Sequence, residues 1–434
     1  MQLAAPDARP DHGAGHRRRL IRAAALVALL APSAALATAG YFQLGYGLKA
    51  KGMGGVAAAL PQDSLAAATN PAGMAWVGDR FDAGLDWFTA DRGSRITGNG
   101  MGLNGERHAN GSDSFLIPEF GANRMLDARS AVGLSVFGNG GSAQYLDNPL
   151  AALGGSSPAG MEFIQATAAP TYAVKLGERH SVGLSLHVVY QEFEARGFEH
   201  FDDPAFSRFP GSVTNRGRDH ALGLGWRAGW LGRFTPGFSL GAAYQPATRM
   251  QKFERYKGLL ADGGSFDVPA HGVVGAALKL GAATTVASDV QRIWFSRVRG
   301  LGNRSDCFLS VSCPLGALDG PGPGWRDTTV VKLGLAHEWS SRLELRAGFA
   351  VLRQPIPPDQ TLLGVFAPAV TQKHLTLGAT WQLHSRMELT FAYMHAFEQT
   401  VRGTSTSVPG GVGGGEADLR MRQDAFGLAL GWKI

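Results

Sequence analysis

At the end of the chain Phe426, Leu428, Leu430, Trp432 and Ile434 alternate with Gly427, Ala429, Gly431 and Lys433. Side chains along a strand point to opposite faces in turn, so this segment carries large apolar groups on one face and nearly bare backbone on the other. The same split recurs in Phe81, Ala83, Leu85 and Trp87, and in Val182, Leu184, Leu186, Val188 and Tyr190. Many of the 60 glycines sit inside such runs, as in Leu222-Gly223-Leu224-Gly225-Trp226. Glycine on one face and bulk on the other suits a curved, closed sheet. A sandwich buries its apolar face against a second sheet, whereas a membrane barrel turns it to lipid. Periodicity does not separate the two.

Loop lengths do. Short connections fall at Leu126–Arg129, Leu176–His180, Gly232–Pro236, Leu280–Ala283, Ser340–Arg342 and His384–Arg386. Long connections rich in Gly, Pro and charge fall between them, at Asp91–Ser112, Leu146–Ala159, Ala195–Arg218, Gln245–Ser265, Ser296–Gly324, Leu352–Val370 and Thr400–Ala417. Tight turns alternating with long loops are the signature of an outer-membrane barrel. The spacing predicts an all-β chain, a transmembrane antiparallel β-barrel of about fourteen strands over 81–434. Hydrocarbon offers no partner for a bare sheet edge, so Phe426–Ile434 is expected to close on the segment near Phe81.

Residues 1–37 read as an export signal: a basic stretch through Arg17-Arg18-Arg19 and Arg22, an apolar core Ala23–Leu30, and small-residue cleavage sites after Ala37 or Ala39. The apolar core is too short to span a bilayer. These residues hold five arginines and two aspartates, so their removal takes the formal charge from +6 to +3. Without a basic cluster interleaved with aromatics, that balance gives no sign of nucleic-acid binding. Between the signal and the first strand, 38–80 lacks alternation. It is rich in alanine and carries the turn Asn70-Pro71-Ala72-Gly73.

The order of these pieces resembles the FadL-type outer-membrane transporters for long-chain fatty acids and other hydrophobic compounds. The likeness runs through Ala39-Gly40-Tyr41-Phe42-Gln43-Leu44, Gly52-Met53-Gly54-Gly55-Val56-Ala57, Asp63-Ser64 and Asn70-Pro71-Ala72-Gly73-Met74. It returns at Ser130–Gly138, at Trp325-Arg326-Asp327-Thr328 and at Arg353-Gln354-Pro355-Ile356-Pro357. The resemblance implies fourteen strands in the bacterial outer membrane, with 38–80 folded inside the lumen as a hatch. Asn70, Pro71, Ala72 and Gly73 would then serve gating, with the Asn70 amide offered to an inward-kinked third strand. The kink, which opens a lateral route, corresponds to Phe137, Gly138, Asn139, Gly140 and Gly141. Read without the resemblance, that run is a plain strand end before a long loop. Ile434 departs from the aromatic terminus common in such barrels, and the cysteine pair is no feature of the family.

Other motifs carry less. Gly100–Gly105 matches GxGxxG without a strand–helix context, and His337-Glu338 lacks the second histidine of a zinc protease, with Ser341 in its place. No metal, no cofactor and no enzymatic activity is expected. Cys307 and Cys313 lie in a long loop of an exported chain, where a disulfide is the leading reading, with free thiols or metal capture as alternatives. Arg249–Leu260 spaces Met250, Phe253, Tyr256 and Leu260 as in a short amphipathic helix, flanked by Arg249 and Lys252. The preceding loop adds Phe198, Phe201 and Phe206. In the family these two loops form an outer capture site, so a greasy groove with a basic rim is expected; packing among the loops themselves is the alternative.

The expected function is therefore uptake of long-chain fatty acids or similar hydrophobic compounds, by loop capture, hatch-gated transfer and lateral exit. A non-transport surface-binding or adhesion barrel and a general porin are the rivals. Expected partners are a hydrophobic small molecule, outer-membrane lipid, lipopolysaccharide and the barrel assembly machinery, with the protein a monomer.

Overall fold

The computed structural model describes residues 39–307, 313–404 and 414–434. The export signal expected over 1–37 lies outside these residues. The strands are β1 (Arg80–Thr97), β2 (Gly105–His108), β3 (Ser114–Met125), β4 (Ser130–Tyr145), β5 (Ala159–Leu176), β6 (His180–Arg196), β7 (Asp219–Thr235) and β8 (Phe238–Gln245). They continue as β9 (His271–Leu280), β10 (Thr284–Ile293), β11 (Thr328–Ser340), β12 (Leu343–Leu352), β13 (Lys373–His384), β14 (Met387–Val401) and β15 (Glu416–Lys433). Each barrel strand pairs antiparallel with the next, and β15 returns to β1 from Arg80↔Lys433 to Thr97↔Glu416. The short β2 only extends the outer end of β1, so the closed wall has fourteen strands. Phe81 faces Trp432, as the edge argument requires.

The alternation sorts as read. Leu184, Leu186 and Val188 on β6, Leu333 and Leu335 on β11, and Leu428 and Leu430 on β15 all point outward and are exposed. An apolar belt on every strand is untenable in water and is what lipid requires. Among the described residues no helix is long and apolar enough to cross a membrane; the strands do the crossing.

Inside, the wall meets residues 39–79, which run through the lumen and are buried over most of their length. Inward-facing glycines let backbone meet backbone. A Cβ on Gly348 of β12 would collide with the main chain of Met53 and Gly54, and one on Gly241 of β8 with the carbonyl of Ala58. Gly54 itself has φ +70°, a conformation that only glycine adopts freely.

One helical turn, Leu48–Lys51, supplies two ammonium groups to a buried ionic layer. Lys49 pairs with Glu388 at 2.5 Å, and Lys51 with Asp86 at 2.5 Å and Glu119 at 2.9 Å. Arg80 joins Asp82 at 2.5 Å and Glu388 at 2.6 Å, and Asp82 also accepts from the amide and hydroxyl of Ser64. Buried charges of this kind persist only where each is paired and hydrogen-bonded.

Candidate functional site: a freed strand edge and an apolar cavity

The ladder between β3 and β4 is short. It runs from Met125↔Ala131 to Phe120↔Val136 and stops, whereas β4 stays paired with β5 from Ser130 to Tyr145. From Phe137 onward β4 therefore leaves β3, and at Gln144 it meets the loop before β3, where Gly111 donates its amide to the Gln144 carbonyl at 3.0 Å. The freed stretch contains Phe137, Gly138, Asn139, Gly140 and Gly141. All but the half-buried Gly141 are buried, so β4 turns into the lumen here.

The N-terminal segment takes the place of the missing strand. The Gln43 side-chain amide donates to the Gly138 carbonyl at 2.6 Å, and the Gly140 amide donates to the Tyr41 carbonyl at 3.0 Å. The Asn139 side-chain oxygen accepts from the Gln43 amide at 3.2 Å and from the Tyr46 hydroxyl at 2.7 Å. Gly138 and Gly140 share strand parity, and both turn their main-chain groups to the side β3 has vacated.

Asn70 lies elsewhere. Its side-chain amide donates to the carbonyls of Ala58 at 2.7 Å and of Trp230 on β7 at 2.9 Å, not to β4. The physical reason is local. Asn70 precedes Pro71 in an extended conformation and accepts from the Ala72 amide at 3.1 Å, capping the 3-10 turn Pro71–Trp76, and this aims its amide at the wall formed by β7. Pro71, Ala72 and Gly73 follow in that turn, where Ser181 of β6 donates its hydroxyl to the Ala72 carbonyl at 2.9 Å.

Above the segment the long loops enclose an apolar cavity of about 160 Å³. Tyr41 and Gly40 form part of its floor, and Phe163, Phe193, Phe266, Trp325 and Phe366 part of its walls. Of the expected capture residues, Phe198, Phe201 and Leu260 line it. Phe253 and Tyr256 are fully buried just behind, their rings 5.6 and 5.1 Å from Phe193. Phe206 supports Phe201 at 5.8 Å, and Met250 lies against Gly223 of β7.

The basic rim does not form as expected. Arg249 is exposed, and Lys252 is held by the main-chain carbonyl and carboxylate of Asp262. Nor does Arg249–Leu260 form a helix beyond the turn Glu254–Tyr256. Its backbone donors are taken by tertiary partners: Gln251 by the Leu222 carbonyl, Phe253 by that of Gly264, and Arg255 by the Asp219 carboxylate. Cys307 and Cys313 are joined by a disulfide, their Cα atoms 5.8 Å apart.

The cation that does reach the cavity is Arg92, on β1. It is 1% exposed and stands among apolar rings, with its Cζ 5.8 Å from the centre of Phe115. One terminal nitrogen donates to the Ser112 carbonyl, Nε has no partner, and no carboxylate lies within 4.0 Å among the described residues. Loop composition could not reveal it. Its parity could, because Phe88, Ala90 and Arg92 share the inward face of β1.

A family model described as outer membrane protein transport protein (OMPP1/FadL/TodX) matches residues 24–434. The chain belongs to this family. Its members are outer-membrane proteins, and the chain is an outer-membrane β-barrel of a family that transports hydrophobic compounds. No curated protein sequence matches it. Among solved structures it is similar to the Pseudomonas putida toluene transporter TodX, with 18% identity, 92% of this chain and 100% of that chain covered, and a TM-score of 0.66. It is also similar to a Pseudomonas aeruginosa FadL homologue, with 16% identity, 91% and 100% covered, and a TM-score of 0.66. The Ralstonia pickettii toluene transporter TbuX is a third, at 18% identity, 90% and 99% covered, and a TM-score of 0.60. At these identities the structural likeness speaks to the fold.

Proposed function

We propose that the protein takes up an apolar monocarboxylate of the long-chain fatty-acid type, with the loop cavity as its capture site and Arg92 as the group that receives the carboxylate. The observation that carries this reading is a buried guanidinium with no carboxylate within 4.0 Å among the described residues, set in an otherwise apolar cavity, with Asp91 and Asp113 acting on it only from farther off. Each buried methylene contributes about 0.8 kcal/mol, whereas an unpaired buried carboxylate costs several kcal/mol. A buried cation without its own carboxylate offsets that cost, and a forked guanidinium fits a carboxylate in two parallel hydrogen bonds.

The ligand then passes the N-terminal segment and leaves sideways between β3 and β4, over Phe137–Gly141. Residues 38–80 act as the gate, and the Asn70–Gly73 turn holds the gate's fixed end against β6 and β7. Moving between apolar surfaces spares the chain repeated exposure to water.

A second reading is a neutral aromatic hydrocarbon as cargo. The apolar lining favours it, and two of the similar solved structures are toluene transporters. Uptake of radiolabelled oleate and of radiolabelled toluene by cells producing the protein separates the two. Saturable oleate uptake that falls in Arg92→Leu supports the carboxylate; saturable toluene uptake alone overturns it.

A further inference from the structure

The six tight connections form one rim, on the periplasmic side where short barrel turns lie. Neighbouring turns are joined through their backbones. The amide of Lys175 donates to the Arg129 carbonyl at 2.9 Å, that of Arg233 to Arg179 at 2.6 Å, that of Gln382 to Arg342 at 2.8 Å and that of Lys433 to Arg386 at 2.8 Å. Side chains on this rim are therefore carried by a fixed ring, not by independent loops.

The ring is strongly basic. Residues 124–129, 175–180, 232–236, 279–283, 338–342 and 384–386, with Asp79 and Lys433 beside them, hold nine lysines and arginines against four aspartates and glutamates. That is a surplus of five, where residues 38–434 together have a surplus of three. The remainder is thus net negative, and the positive charge belongs to one end of the barrel. Of the nine, only Arg124 has a carboxylate within 4.0 Å among the described residues, that of Asp79 at 2.7 Å. Lys175 and Arg233 are turned to the Trp76 ring, 4.6 and 4.0 Å from its centre.

Six cations remain, Arg129, Arg179, Lys279, Arg342, Arg386 and Lys433, and all are exposed. Each has an exposed apolar side chain within three residues: Leu126, Leu176, Leu280, Trp339, Leu383 and Trp432 respectively. Such apolar groups at the ends of barrel strands mark where hydrocarbon gives way to headgroups. The cations therefore stand at headgroup level, on stems long enough to lie along the apolar edge.

We propose that this rim is a collar for anionic glycerophospholipids, each turn offering one Lys or Arg to the phosphodiester of a lipid in the periplasmic leaflet while the acyl chains lie against the apolar side chain beside it. The spacing argues for lipid. One cation per turn around the whole circumference matches a ring of separate headgroups, whereas an acidic protein would need its charges gathered on one side. A guanidinium meets a phosphate in two parallel hydrogen bonds. Near an anionic membrane surface each Lys or Arg favours association by about fivefold, an effect that salt screens. A zwitterionic lipid carries its own ammonium beside the phosphate and gains little. The collar does not depend on what the barrel transports.

The test uses the whole protein, purified in a non-ionic detergent and titrated with dioleoylphosphatidylglycerol and with dioleoylphosphatidylcholine, bound lipids being counted by native mass spectrometry. At low salt phosphatidylglycerol is expected to bind about tenfold more tightly, in several copies per barrel, and to lose most of that margin in about 0.5 M salt. The triple variant Arg179→Gln, Arg342→Gln, Arg386→Gln is expected to bind fewer copies and to lose most of the preference. A second triple, Arg208→Gln, Arg216→Gln, Arg249→Gln, removes the same charge from exposed positions in the long loops and is expected to keep it. Heat-modifiable gel mobility identifies the variants that have assembled, and the comparison of the two lipids on the parent stands without them. Equal binding of the two lipids by the parent overturns the collar. So does a preference that the rim triple leaves intact, or that the loop triple loses to the same degree.

Discussion

The side-chain amide of Gln43 donates to the main-chain carbonyl of Gly138 at 2.6 Å, joining a residue at the start of the lumenal segment to a strand that has lost its neighbour. Asn139 beside it receives two more donors from the same segment. Replacing Asn139 by Ala removes both bonds and leaves the buried Tyr46 hydroxyl unpaired, a cost of about 1–3 kcal/mol. The expected outcome is a folded barrel whose segment leaves β4 more often. In planar bilayers the Asn139→Ala protein should show openings that the parent lacks; an unchanged record would mean these bonds do not hold the gate.

On the proposed carboxylate reading, Arg92 separates charge recognition from apolar capture. Arg92→Leu keeps the cavity apolar and removes the carboxylate's partner, and a hydrogen bond between charged groups is worth about 1.5–3 kcal/mol. Laurate affinity should fall by about tenfold to a hundredfold, while dodecanol binds as before. Titration calorimetry with both ligands checks this, and equal losses for the two would point to a collapsed cavity.

Asp63 gives the segment a pH dependence. Burial first, and then the neighbouring Asp82 carboxylate, push its pKa from 3.8 up to about 7, against the opposing pull of Arg80 and Lys49. The folded protein thus holds a proton that the unfolded chain releases above about pH 4. Stability from this group is therefore full at low pH, declines as pH rises toward 7, and levels off above it. Asp63→Asn should flatten that decline and unfold at a higher temperature than the parent at pH 8. Loss of heat-modifiable mobility, followed against temperature at several pH values, reads it directly.

Gly348 tests the backbone contact between wall and segment. A side chain there meets Met53 and Gly54, while the lipid-facing side of β12 is untouched. Gly348→Leu should therefore yield a barrel that inserts and shows normal heat-modifiability, with its segment displaced and its conductance raised. Failure to insert would show that the segment is needed to build the wall as well as to fill it.

The barrel was legible because its determinants are local. The parity of Phe426–Ile434 and the alternation of short and long connections each report on a few consecutive residues, and the β15–β1 closure follows from the absence of unpaired edges in lipid. The site was less so, because its determinants are distant in sequence. The glycines of 138–141 marked a weak strand, but that Gln43 and Tyr41 repair it depends on pairing across about 95 residues. Arg249 and Lys252 were conspicuous and turned away; Arg92 was inconspicuous and faces the cavity. The helix expected over Arg249–Leu260 lost to tertiary acceptors at Leu222, Gly264 and Asp219, which no window of the sequence contains.

The substitution of Tyr41 and Gln43 for a strand has a consequence for solvent. In the withdrawal that the proposed gating requires, the Gly138 carbonyl and the Gly140 amide lose their partners, and each such group left bare away from water costs several kcal/mol. An alkyl chain sliding past has nothing to offer them. Water does, and so the open passage should be wet: hydration of this short glycine edge would accompany each apolar molecule that crosses it.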